Sequence, residues 1–169
     1  NSEDRVMVPE GYDYSVLIKW GDPLDNGPAL NWNRVYEALT EEDIERQKHC
    51  FGYNCDYVGF FRLDQDRALL VVNHEYTSPE LMFSNFDPQT GPTQEQSKLM
   101  LYAHGVSVVE IKKNGGKWVY VKGSDYNRRI TGETVCYISG PAAEHELMKT
   151  SYDPTGTYVK GTLNNCAGG

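Results

Sequence analysis

The sequence predicts an all-β fold, on three observations. Aromatic residues make up 12% of the chain, with twelve tyrosines, and Val and Thr are frequent, which is the composition of pleated, half-exposed strands. Two pairs of strand-like runs are each joined by a short turn, as hairpins are. Further short strand-like runs recur between long loops. A sandwich, a barrel or a propeller satisfies all three, and no internal repeat is strict enough to count blades.

Residues 12–20, Tyr-Asp-Tyr-Ser-Val-Leu-Ile-Lys-Trp, read as a strand entered through Pro9-Glu10-Gly11 and left through Gly21-Asp22-Pro23. Residues 21–33 are turn chemistry throughout. Thr40 is an N-cap for a short solvated helix, with Asp43 closing the capping box and negative charge in the first turn. Residues 55–64 and 67–75 pair as a hairpin across Gln65-Asp66, although those two are not a strong primed-turn pair. Residues 94–103 place Leu99, Met100 and Ala103 at helical spacing after Pro92-Thr93, predicting a short helix that leads into His104-Gly105. Residues 106–113 and 117–122 form the clearest hairpin, because Asn114-Gly115-Gly116 between β-branched runs is the strongest short-range turn signal. Residues 134–139 and 157–162 read as two more short strands. No linker and no second domain is visible, so residues 1–169 are read as a single domain.

The 169 residues suffice for one core, while 39% hydrophobic content and a mean hydropathy of −0.59 describe a polar, loop-rich domain. Sixteen basic against 24 acidic residues give a net charge of −8, which disfavours a nucleic-acid or anionic-membrane partner and is compatible with hard cations such as calcium. No apolar run approaches the roughly 20 residues that cross a bilayer, and the first residues lack a signal-peptide pattern. The sequence therefore reads as a soluble protein or one trimmed of its targeting segment. The four cysteines, at 50, 55, 136 and 166, show no CxxC pair, so neither a zinc knuckle nor a disulfide scaffold is read from them. Pairing of Cys50 with Cys55 stays open.

Three segments carry chemistry. Gly161-Thr-Leu-Asn-Asn-Cys-Ala-Gly-Gly169 sets Cys166 among amides and glycines, where backbone approaches an ion closely; Cys166 is either a thiolate metal ligand or a small hydrophobe in a Gly-rich loop. Asn73-His74-Glu75 ends an apolar strand, a place where a rigid backbone holds ligands. There Glu75 suits a hard metal, Asn73 a substrate oxygen, and His74 a supporting or acid/base role; a satisfied polar strand end is the alternative. Asn127, Arg128 and Arg129 offer adjacent guanidinium groups that suit phosphate, or else surface ion pairs. Asp153 reads as a turn initiator in Asp153-Pro154, with cation ligation the lesser reading. Residues 139–145 lack the Gly-x-Ser-x-Gly frame of a nucleophile elbow, and no Walker segment, HExxH or EF-hand loop is present.

Taken together, Val8-Pro-Glu-Gly-Tyr12, Phe51-Gly-Tyr-Asn54 with Asp56-Tyr57, Asn73-His-Glu-Tyr76, His104-Gly-Val-Ser-Val-Val-Glu110, Tyr126-Asn-Arg-Arg-Ile-Thr131, Ser139-Gly-Pro-Ala-Ala143 and the segment 161–169 resemble, in order, the N-terminal part of the PhoX family of bacterial alkaline phosphatases. The resemblance implies a six-bladed β-propeller that binds iron and calcium, hydrolyses small phosphomonoesters, is exported to the periplasm by a twin-arginine signal, and is a monomer at full length. It implies that Cys166 is an iron ligand, with Glu75 the next ligand and Asn127, Arg128 and Arg129 contacts to substrate phosphate. Family members are longer, continuing through a Thr-Pro-Trp-Gly-Thr segment and a Glu-Glu-Asn cluster, so the chain reads as a fragment that lacks activity alone. Cys55 and Glu144 stand where the family pattern suggests Asn and Gly. Two other classes remain: a non-catalytic calcium-binding β-propeller that serves as an interaction module, and a calcium-dependent lactonase-type propeller. Cys166 is dispensable in both.

Overall fold

A computed structural model describes residues 5–168, so Gly169, the last residue of the Cys166 motif, lies outside the described residues. In chain order the elements are helices α1 (Trp32–Ala38) and α2 (Glu41–Gln47), strands β1 (Cys55–Arg62) and β2 (Arg67–His74), helices α3 (Pro79–Met82) and α4 (Gln94–Ala103), strands β3 (Gly105–Asn114), β4 (Lys117–Tyr120), β5 (Arg128–Ile130) and β6 (Val135–Tyr137), a 3₁₀ turn (Glu146–Met148), and strand β7 (Tyr158–Lys160). The main sheet is antiparallel in the order β1-β2-β3-β4. Strand β5 pairs with β3 beside Val106–Val108, while β4 pairs with Ile111–Asn114, so the two share β3 end to end. Strands β6 and β7 form a separate two-stranded ribbon. The fold is therefore mostly strands in antiparallel sheets with a few short helices.

Local chemistry explains most of these elements. Asn114 pairs with Lys117, and the two residues between them, Gly115 and Gly116, both have positive φ, as a primed hairpin turn requires. Helices α2 and α4 each begin with a complete capping box, Thr40 with Asp43 and Thr93 with Gln96. Helix α1 corrects the expectation of turn throughout 21–33: Asn31 caps it by accepting from the Arg34 backbone N–H at 3.1 Å. Residues 12–20 correct the expected first strand. Their backbone joins no ladder; Leu17 and Ile18 pack on the core while Tyr12, Tyr14 and Val16 stay exposed, and the Lys19 N–H goes to the Asp22 carboxylate. A strand-like side-chain pattern makes no strand unless the backbone pairs in a ladder.

Two apolar clusters form the core. One joins the helices through Val35, Ile44, Met82, Phe83, Leu99 and Ala103; the other joins Leu24 and Phe51 to the inward face of β2 and β3 through Ala68, Val72, Val109 and Ile111. Strand periodicity then divides the end of β2. Ala68, Val72 and His74 face inward, and Asn73 and the following Glu75 face the opposite side.

Candidate metal centre

His74 is fully buried at the inward face. Its Nδ1 lies 3.1 Å from the Tyr53 carbonyl and its Nε2 lies 2.7 Å from the Ser107 hydroxyl. A carbonyl only accepts, so Nδ1 holds the proton and Nε2 accepts from Ser107. Burial, followed by the nearby Arg129 charge, lowers its pKa to about 3. His74 is therefore a neutral structural imidazole and takes no acid/base role.

Outward, the chain brings three acidic side chains together. The β1–β2 register pairs Cys55 with His74 but Val58 with Val72, so one extra residue is inserted around Asp56 and Tyr57. Such a bulge re-aims a side chain at a sheet end, and here Asp56 joins Glu75. The loop after β7 then crosses both, and the Cys166 thiol donates to Asp56 Oδ2 at 3.4 Å. Potential ligand atoms of Asp56, Glu75 and Cys166 all lie within 4.8 Å of one another. The loop is seated closely: a Cβ on Gly168 would come within 2.6 Å of the Tyr57 ring.

Contact with Asp56 raises the proton affinity of both partners. The Glu75 carboxyl is pushed up by its hydrogen bond with Asp56, then by desolvation and the Asp56 charge; the Cys166 thiol is pushed up by Asp56 and then by Glu75. Three anions cannot share this space without a counter-charge, and a multivalent cation supplies one. The donor set fits a transition metal. A thiolate with two carboxylates suits iron better than calcium, which takes oxygen ligands alone, and the exposure of Asp56 and Cys166 leaves coordination positions open.

The structure brings Cys166 and Glu75 close to one another and places Asp56 beside them. The signal for Asp56 lay in the hairpin itself, since antiparallel pairing sets the first residues of β1 beside the last of β2; the bulge that aims its side chain has no local signature. Asn73, read from the sequence as a contact to a substrate oxygen, donates its amide to the Cys166 carbonyl at 2.7 Å.

The three expected phosphate contacts separate. Asn127 accepts from the Glu110 N–H and donates to the Leu24 and Val121 carbonyls, which uses its whole amide within the fold. Arg129 donates to the Tyr102 and His104 carbonyls and to Ser107, and burial lowers its pKa to about 9. Arg128 alone is exposed, with no side-chain hydrogen bond or ion pair among the described residues. Asp153 is a turn residue. Burial works against its charge, yet the Thr155 hydroxyl, followed by the N–H groups of Tyr158, Thr155 and Thr157, holds its pKa down to about 2, and these donors occupy its oxygens. All four cysteines are free, so Cys50 and Cys55 do not pair.

The sequence matches the family described as alkaline phosphatase PhoX over residues 1–169. A search of the curated proteins matched none. Among solved structures the chain is similar to Pseudomonas fluorescens PhoX in complex with vanadate, a transition state analogue, with a TM-score of 0.83 and 42% sequence identity over 95% of this chain. The chain spans 27% of the length of that structure.

Proposed function

Because the chain belongs to the PhoX alkaline phosphatase family, we propose that the full-length protein hydrolyses phosphomonoesters at a metal centre that includes Asp56, Glu75 and Cys166. The observation that supports this most directly is the meeting of Cys166 with Asp56, 110 residues earlier in the chain, at a β-bulge beside Glu75. Transition-state analogues bind where the reaction occurs, and vanadate occupies the similar Pseudomonas fluorescens enzyme.

Iron is the metal we assign to the thiolate and its carboxylates, with calcium held by oxygen ligands elsewhere in the whole protein. Bound there, such metals act as Lewis acids that neutralise charge developing on phosphate oxygens. The chain's own residues supply placement. Asp56 and Glu75 present their carboxylates from a rigid hairpin end, and the loop carrying Cys166 closes over them. Arg128 remains the side chain free to meet a phosphate oxygen, whereas Asn127 and Arg129 hold the loop and strand that present it.

In this reading the sheet described above is the beginning of a six-bladed β-propeller, residues 1–169 are its N-terminal portion, and the protein works in the periplasm after twin-arginine export. A calcium-only interaction module leaves the thiol without a purpose. Full-length protein loaded with iron and calcium is expected to release phosphate from an aryl phosphate, and Cys166→Ala to lose at least the roughly ten-fold in rate that removing a group which merely orients a metal ligand costs. No phosphate release from the wild type would refute the proposal.

A further inference from the structure

The two segments that carry Glu75 and Cys166 are joined by a pair of amide hydrogen bonds running in opposite directions. Asn73 Nδ2 donates to the Cys166 carbonyl at 2.7 Å, and Asn164 Nδ2 donates to the Glu75 carbonyl at 3.3 Å. Each asparagine stands two residues before the ligand on its own segment and grips the backbone of the ligand on the other. Asn164 has φ 55°, in the left-handed region that asparagine tolerates and β-branched residues avoid.

We propose that Asn73 and Asn164 are positioning residues, a reciprocal clamp that fixes the spacing between Glu75 and Cys166 for metal binding. The proposal rests on the metal reading above. The cluster, with Asp56 and Cys166 exposed and Glu75 half-buried, is composed of groups that repel one another once ionised, so without a brace the loop and the strand end move apart. A brace made from the ligand side chains would occupy the lone pairs that the metal needs. The two amides avoid this by holding main-chain carbonyls, leaving the thiol and the carboxylates free. Neither amide adds charge to a site already rich in anions. Gly168, seated against the Tyr57 ring, limits sliding of the same loop.

The test is competition between the full-length protein and citrate for ferric iron, with the thiolate-to-iron charge-transfer absorption recorded in parallel. Asn73→Ala removes one donor, and Asn164→Gly removes the other while keeping the positive φ accessible. Each is expected to weaken iron binding about ten- to a hundred-fold, the range for residues that orient metal ligands, and to shift the absorption band, with the thermal midpoint of the chelator-stripped protein unchanged. Wild-type affinity and an unchanged band in both variants, alongside iron loss in Cys166→Ala, would overturn the clamp and leave the metal reading standing. Wild-type affinity in all three would overturn both. Weaker binding accompanied by a lower midpoint in the stripped protein would mark the two bonds as merely structural and also overturn the clamp.

Discussion

His74 and Glu75 are neighbours in sequence with opposite fates, decided by which face of β2 each occupies. The buried imidazole has a consequence for acid stability. In the unfolded chain it takes up a proton near its ordinary 6.5, whereas in the native state its pKa is about 3. Between those values the unfolded state binds more protons, so stability is complete above 6.5 and is lost as pH falls, by up to about 1.4 kcal/mol per pH unit. Chelator-treated wild type should therefore lose more of its thermal midpoint between pH 7 and pH 5 than His74→Gln does; parallel losses would show that the imidazole is protonated in the native state. At this scale residue type left both Cys166 and Glu75 open between ligand and ordinary loop or strand-end residue, and the family resemblance singled them out. Sequence alone could not assign Asn73, Asn127 or Arg129, whose donors are used by carbonyls far away in the chain.

Elements set by local rules were legible, and those set by distant partners were not. The Gly115-Gly116 hairpin and the capping boxes of α2 and α4 need only adjacent residues. Residues 12–20 have the side chains of a strand but pair with none of the described strands, and the bulge at Asp56 appears only once β1 is laid against β2. β5 was missed because three residues give no period, and what places them is the free stretch of β3 beyond β4. Helix α4 offers a measurable case. Thr93 accepts from the Gln96 N–H, and Gln96, itself buried, accepts from the Thr93 N–H. Thr93→Ala is expected to cost about 1 kcal/mol in denaturant unfolding, with Thr93→Ser recovering most of it. Equal stability of wild type and Thr93→Ala would mean that packing of Leu99 and Ala103 fixes the helix without its cap.

At the scale of the molecule, the described residues leave apolar surface uncovered. Tyr137 and Leu147 are 85% and 87% exposed, and a groove of about 560 Å³ lined by Ile138, Leu147, Met148, Tyr152 and Tyr158 runs along the β6–β7 ribbon. The outer edge of β1 is also unpaired within the described sheet. Open edges and apolar faces favour association, so a polypeptide of residues 1–169 alone should aggregate or melt at low temperature in calorimetry. A cooperative, monomeric, high-temperature transition would show that these faces need no cover. The metal centre likewise depends on long-range closure, because Cys166 meets Asp56 from 110 residues away in the chain. Iron content of the full-length protein, measured by elemental analysis in wild type and Cys166→Ala, tests the account most directly. Stoichiometric iron in the wild type and its loss in the variant are predicted; equal iron in both, or none in the wild type, would contradict a centre built on Asp56, Glu75 and Cys166.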